Sequence, residues 1–166
     1  MSLFTGILRY LIYLPLFILA TIATYILAPV LVLFAKDGWL PSWCWWFQTW
    51  DNSLDGDIGW QTEHRPWLDT PYSELNSVQL WVCRFMWLWR NPAYGFAYKL
   101  APRADYVLTS TEYDNSVLYA ADTGWFFWNG DLPVSETYKF NWLIGWKLPY
   151  PDRPSPICCT MRFKKI

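Results

Sequence analysis

From Tyr10 to Ala35 the chain runs for 26 residues without a charge, and most of those positions are Leu, Ile, Ala, Val or Phe. A helix of that length extends about 39 Å, enough to cross a hydrocarbon core about 30 Å thick with some tilt. Core helices of soluble proteins rarely stay uniformly apolar beyond about 14 residues, so the pattern predicts a membrane anchor over residues 1–36. Pro15 and Pro29 lie inside the run. Each lacks an amide proton and crowds the turn before it, near Leu11 and Tyr25, which predicts a kink, or a helix that starts at Pro15 and stops near Pro29. In the second case Leu16 to Ala28 would form a re-entrant or steeply inserted segment. A cleaved signal peptide is the poorer fit, because the run is too long and no A-x-A site ends it.

The pattern changes at residue 37. In Trp39-Leu40-Pro41-Ser42-Trp43-Cys44-Trp45-Trp46-Phe47-Gln48-Thr49-Trp50 five of twelve residues are Trp. An indole is apolar but keeps one N–H that needs a partner, which suits headgroup depth. Directly after an anchor, Trp39, Trp43, Trp45, Trp46 and Trp50 therefore read as an interfacial belt, with Ser42 able to cap a short helix. Ser73 to Trp89 gives a second candidate: Ser73 as N-cap, a polar stretch to Gln79, then an apolar run interrupted by Arg84. It is too short and too charged to span, and reads as an amphipathic helix on the membrane surface or beneath a β body. Trp87 would face the interface, Arg84 would snorkel to phosphates, and Asn91-Pro92 would end the helix.

Beyond residue 93 short apolar or alternating runs between turn residues predict β structure. The candidate strands are Gly95–Leu100, Asp105–Thr111, Ser116–Ala121, Gly124–Trp128, Thr137–Lys147 and Ile157–Lys164. In the fifth, Tyr138, Phe140, Trp142 and Ile144 fall on one face, and Lys139, Asn141 and Leu143 on the other. Asn129-Gly130 carries a strong tight-turn signal. Pro149, Pro151, Pro154 and Pro156 read as an extended loop into the last strand.

Composition sharpens this picture. The first 35 residues hold one charge, Arg9, against 12 basic and 14 acidic residues in the rest. The net charge of −1, with no clustered basic face, argues against a nucleic-acid partner. At 54% hydrophobic and 21% aromatic the chain is neither disordered nor collagen-like. Arg9 flanks one end of the anchor and Lys36, offset by Asp37, the other; the loop rule leans towards an inside N-terminus. Cys44, Cys83, Cys158 and Cys159 lack a disulfide spacing and lean towards a body in the cytoplasm.

The candidate chemistry lies in Asp51-Asn52-Ser53-Leu54-Asp55-Gly56-Asp57, followed by Glu63 and His64. Against the calcium loop of EF-hands, Asp51, Ser53 and Asp55 fall at positions 1, 3 and 5, Gly56 at the turn, and Asp57 would offer its carbonyl at position 7. Position 12 is Thr62 rather than the bidentate Glu, and Glu63 lies one residue late. The loop thus reads as a solvated Asp/Asn/Gly turn or as a calcium or magnesium site. His64 stands without a second His or a zinc spacing of Cys, and no nucleophile elbow, phosphate loop or dinucleotide fingerprint occurs, so catalytic residues are none.

The order of features resembles a known family: an apolar anchor, Gly38-Trp39-Leu40-Pro41, Trp46-Phe47-Gln48-Thr49 leading into Leu54-Asp55-Gly56-Asp57, Trp89-Arg90-Asn91-Pro92-Ala93-Tyr94-Gly95-Phe96, and Gly145-Trp146-Lys147-Leu148. It is similar to small, uncharacterised membrane-associated proteins of tailed bacteriophages. That resemblance implies a phage product in an infected bacterium and brings no activity or catalytic residue with it.

The expectation is an α+β protein: an N-terminal transmembrane or membrane-inserted helix, interfacial Trp-rich helices over 37–92, and an antiparallel sheet of five or six strands over 93–166. The expected function is that of a non-enzymatic accessory protein at the host bacterial inner membrane, meeting the lipid bilayer and a host or phage protein partner, in superinfection exclusion or envelope modulation. The alternatives are a calcium- or magnesium-binding module or metal-dependent enzyme built on residues 51–63, and a virion-associated or lysis-related membrane protein.

Overall fold

A computed structural model of the chain describes residues 3–100, 108–147 and 155–166. The protein is α+β, with a long apolar helix, Trp-rich short helices and one antiparallel sheet of five strands. It packs as two compact units, one joining residues 1–16 to 97–166 and the other comprising 17–96.

Helix α1, Leu3–Leu31, contributes to both units and is long and apolar enough to cross a membrane. It does not start at Pro15 but runs through it. Ending there would orphan several amides and carbonyls in a stretch poor in capping side chains, which outweighs the one hydrogen bond that Pro15 forfeits. Thr24, fully buried, donates its hydroxyl to the Ala20 carbonyl at 2.8 Å and so hides its polarity inside the helix. The helix ends two residues beyond Pro29 and tightens into a 3₁₀ turn over Val32–Phe34.

In the first unit the strands β1 Leu108–Tyr113, β2 Ser116–Ala121, β3 Phe126–Pro133, β4 Tyr138–Trp146 and β5 Ile157–Lys165 form a meander in sequence order. Residues 105–107 of the second expected strand lie outside the described residues, as do Pro149, Pro151 and Pro154. Pro156 is described, and its carbonyl accepts from the Lys147 amide at 2.9 Å, closing the loop between β4 and β5. The expected strand at Gly95–Leu100 is a short helix instead, α3, Tyr94–Lys99. Its aromatic alternation over Tyr94, Phe96 and Tyr98 covers too few residues to separate a strand from a helix.

The Asn129-Gly130 turn is also corrected, because both residues lie within β3. The two-residue hairpin loop is Asp114-Asn115, between the paired Tyr113 and Ser116. Gly130 is needed for space, since a Cβ there would stand 2.1 Å from the Trp142 ring that crosses it. A turn signal and a gap beneath an indole thus use the same residue.

Pairing places Phe140 opposite Phe163 and Leu132, and Trp142 opposite Met161 and Gly130, so the alternation read along β4 extends across the sheet. The first turns of α1 pack against one end of it. Gly6 lies so close that a Cβ would collide with the Gly124 carbonyl, and Tyr10 donates its hydroxyl to the Cys158 carbonyl at 2.9 Å. The Tyr10 ring meets Phe126 and Trp146 edge-on at 5.4 and 5.6 Å.

In the second unit α2, Ser77–Arg90, is capped by Asn76 rather than Ser73. The Asn76 side chain accepts from the Val78 and Gln79 amides while Gln79 reaches back, a complete capping box. Ser73 sits in a 3₁₀ turn over Tyr72–Glu74, and Asn91 ends the helix, as Pro92 requires. The stripe Trp81, Phe85, Trp89 stacks edge to face at 4.9 Å per step and addresses α1. Trp89 Nε1 donates to the Tyr25 carbonyl at 3.0 Å, and Trp81 Nε1 to the Pro29 carbonyl at 2.8 Å. The Tyr25 carbonyl is the one that Pro29, lacking an N–H, leaves open. The indole supplies the missing donor.

Burial pushes the Cys158 thiol from near 9 up to about 12. The folded chain keeps this proton after the unfolded chain has released it, so stability is intact below about pH 9 and is lost as pH rises from there. Thermal melts in detergent across the alkaline range should give a shallower loss for Cys158→Ala than for wild type. An unchanged slope would remove the thiol from this role.

Candidate functional site

The site singled out in the sequence folds around the turns at Gly38 and Gly56, with φ of 77° and 75°, angles that favour glycine. A Cβ on Gly56 would also stand 2.4 Å from the Trp60 ring. The Leu54 amide donates to the Gly38 carbonyl at 2.7 Å, which folds the acidic loop back on the chain leaving α1. Gln48, buried among the Trp residues, ties the two together: its Oε1 accepts from the Leu40 amide at 2.9 Å and its Nε2 donates to the Asn52 carbonyl at 3.0 Å. Thr49 adds a second donor to Asn52.

The acidic side chains go to different partners. Asp55 Oδ1 accepts from Arg84 Nε at 2.7 Å and from the Tyr72 hydroxyl at 2.8 Å. Asp57 Oδ1 accepts from the Trp60 amide at 2.7 Å and caps the turn that continues as a π-helix over Trp60–His64. The Ser53 hydroxyl accepts from the Asp55 amide. Glu63 lies on the outer side with His64, 3.9 Å apart and both exposed. Among the described residues no three His, Cys, Asp or Glu side chains converge as a metal ligand set. Asp55 takes as its counter-charge a cation of the chain itself, Arg84.

Burial holds the Tyr72 hydroxyl above its ordinary range, with the Asp55 hydrogen bond and charge adding to it. For Arg84 burial works against the charge, but the hydrogen bond and charge of Asp55 outweigh it, so the guanidinium is held more firmly protonated. Arg84 was expected at lipid phosphates; it is half-buried and spent on Asp55. A second arginine, Arg65, is buried, with donors meeting the carbonyls of Gln61, Pro66, Trp67 and Thr70 and its Cζ over the Tyr72 ring, 5.5 Å from the centroid. Neither Tyr72 nor Arg65 stood out in the sequence, because Tyr72 and Asp55 are 17 residues apart and carbonyl acceptors leave no residue signature.

The aromatic belt divides. Trp39, Trp43, Trp46 and Trp50 are exposed, and Trp45 is half-buried and stacked on Trp46 at 6.3 Å. Trp87 is buried against Trp60, 5.6 Å away, and is a core residue rather than an interfacial one, since α2 turns it towards the acidic loop. Gly95 lets α3 press on the carbonyls of Trp45, Trp46 and Gln48, which a Cβ would meet at 2.7 to 3.0 Å. A small apolar cleft of about 320 Å³ lies between Ala20, Trp46, Phe47, Ala93 and Phe96.

These features define an α+β protein in which an apolar helix is bound to a Trp-rich, ion-paired loop unit and to an antiparallel meander. The chain belongs to DUF7338, a family of unknown function, whose sequence model matches residues 1–165. No curated protein and no solved structure matches it.

Removing the Asp55 carboxylate leaves Arg84 half-buried without its partner, so Asp55→Ala should cost about 2 kcal/mol, the usual range for hydrogen bonds to a charged group. Arg84→Ala should cost a similar amount, and the double variant less than the sum of the two, measured by denaturant melts. Additive costs would show that the pair is not coupled.

Proposed function

We propose that the chain is a non-enzymatic, membrane-anchored binding protein whose α1 sits in a lipid bilayer while its folded units meet a protein partner. One observation carries this reading: the outer flank of α1 is large and apolar and stays uncovered. Leu19 is 62% exposed and Ile26 69%, and Leu33 in the 3₁₀ turn that continues the helix is 69% exposed as well. A side chain of this kind forgoes about 1.5–3 kcal/mol when it is left in water, and the flank repeats that loss along its length. Hydrocarbon removes it. The exposed Trp39, Trp43, Trp46 and Trp50, where the chain leaves the helix, fit headgroup depth.

The bacteriophage resemblance supports the inner membrane of an infected bacterium as the place of action, and superinfection exclusion or envelope modulation as the role. The partner would meet polar surface such as the sheet face carrying Glu112, Asn129 and Arg162.

In bacterial cells the protein should pellet with membranes, resist alkaline carbonate and enter detergent. Arg at the centre of a membrane helix costs about 2.5–3.5 kcal/mol, so Leu19→Arg should move much of the protein out of the membrane fraction. Wild-type protein that stays in the soluble fraction at every salt concentration would contradict the reading.

A further inference from the structure

Beyond the end that α1 covers at Phe126 and Trp146, the sheet carries its apolar side outward. On the face shared by Phe140, Trp142 and Ile144, the side chains Tyr113, Trp128, Leu132, Tyr138, Met161 and Phe163 are exposed, Phe163 at 69% and Met161 at 60%. The opposite face carries the polar set. There Asn141, only 2% exposed, donates to the Gly130 carbonyl and to Asp131, and accepts from Arg162. Lys139 pairs with Asp131 at 2.7 Å on the same side. A sheet in water buries its apolar face and wets its polar one. Here the polar face holds the hydrogen-bonded network and the aromatic one lies open beyond α1, an apolar patch of a kind that marks contact with a membrane or a partner.

What covers the patch follows from its continuity with α1. A groove of about 590 Å³ runs along this face, and Leu3 and Ile7 of α1 line it together with Trp128, Leu132 and Trp142. The apolar surface of the first turns of α1 and that of the sheet are therefore one surface. Leu3 and Ile7 precede Arg9, the charge at the edge of the uncharged run that begins at Tyr10. Turns of the helix thus stand at headgroup depth, where Trp and Tyr are favoured. Lys165, paired with Tyr138 on the apolar face, adds a cation at its rim that suits anionic headgroups.

We propose that the aromatic face of the sheet is a second lipid-contacting surface, laid on the leaflet beside the first turns of α1. The inference rests on the membrane reading of α1 and adds that the β unit lies on the bilayer rather than standing off it.

The test uses the full chain with Cys159→Ser, which removes the exposed thiol and leaves the three buried ones. A cysteine carrying the fluorophore NBD is introduced by Met161→Cys on the apolar face or by Glu112→Cys on the polar face. Leu132→Cys serves as the second apolar site if the first variant does not fold. The labelled proteins are reconstituted into vesicles of phosphatidylcholine and phosphatidylglycerol and floated on a density gradient. The expected result is flotation of both, with the label at 161 blue-shifted, quenched several-fold by doxyl lipid and shielded from aqueous iodide, and the label at 112 showing the reverse. Flotation with iodide quenching at both sites would overturn the inference and leave the anchor standing. Shielding at 161 without doxyl quenching would overturn it in favour of a second copy of the chain. Failure to float would overturn the anchor and the sheet contact together.

Discussion

A single carbonyl organises the second unit. Pro29 lies in the last turns of an apolar helix and has no N–H to give to Tyr25, and the neighbouring side chains of the helix are hydrocarbon. With hydrocarbon in place of water around the helix, an open carbonyl costs on the order of 1–3 kcal/mol. Trp89 closes it from α2, 64 residues away in sequence, and Trp81 meets the Pro29 carbonyl one helical turn further on. These two bonds fix which side of α2 faces α1. They also fix what the other side does: Trp87 and Cys83 turn inward and Arg84 reaches the acidic loop.

Much of this was legible in the sequence as type and little of it as partnership. The unbroken apolar run predicts α1, and the alternation along β4 predicts its two faces, because both depend only on periods along the chain. The failures have two causes. Ser73 and Asn76 are both good caps, but only Asn76 has Gln79 three residues on to close the box. Asn129-Gly130 suits a turn, yet the Gly serves the Trp142 ring from a neighbouring strand. Arg84 on an apolar helix reads as a lipid contact until Asp55 is brought beside it. The capping box is local and was there to be read, whereas the glycine and the arginine each depend on a residue distant in sequence, which local pattern does not encode.

The acidic loop shows the same limit in its chemistry. Its spacing matches the first half of a cation-binding loop, and its charges need an opposite charge. The chain meets that need at Asp55 with an arginine and a tyrosine, and turns Asp57 to capping an amide. The loop thereby becomes a latch between α2 and the segment leaving α1. The Trp residues divide in the same way. Those whose N–H finds a carbonyl on α1 are structural, and those left at the surface after Lys36 suit a boundary between water and lipid.

The most direct measurement is a double-mutant cycle on Pro29 and Trp89, read as the unfolding free energy in detergent. Trp89→Phe keeps the ring and removes the donor, and in the wild-type background it should cost about 1–2 kcal/mol. Pro29→Ala restores the helix's own N–H to Tyr25, so in that background the same substitution should cost close to nothing. An equal cost in both backgrounds would contradict the claim that the indole stands in for the missing amide.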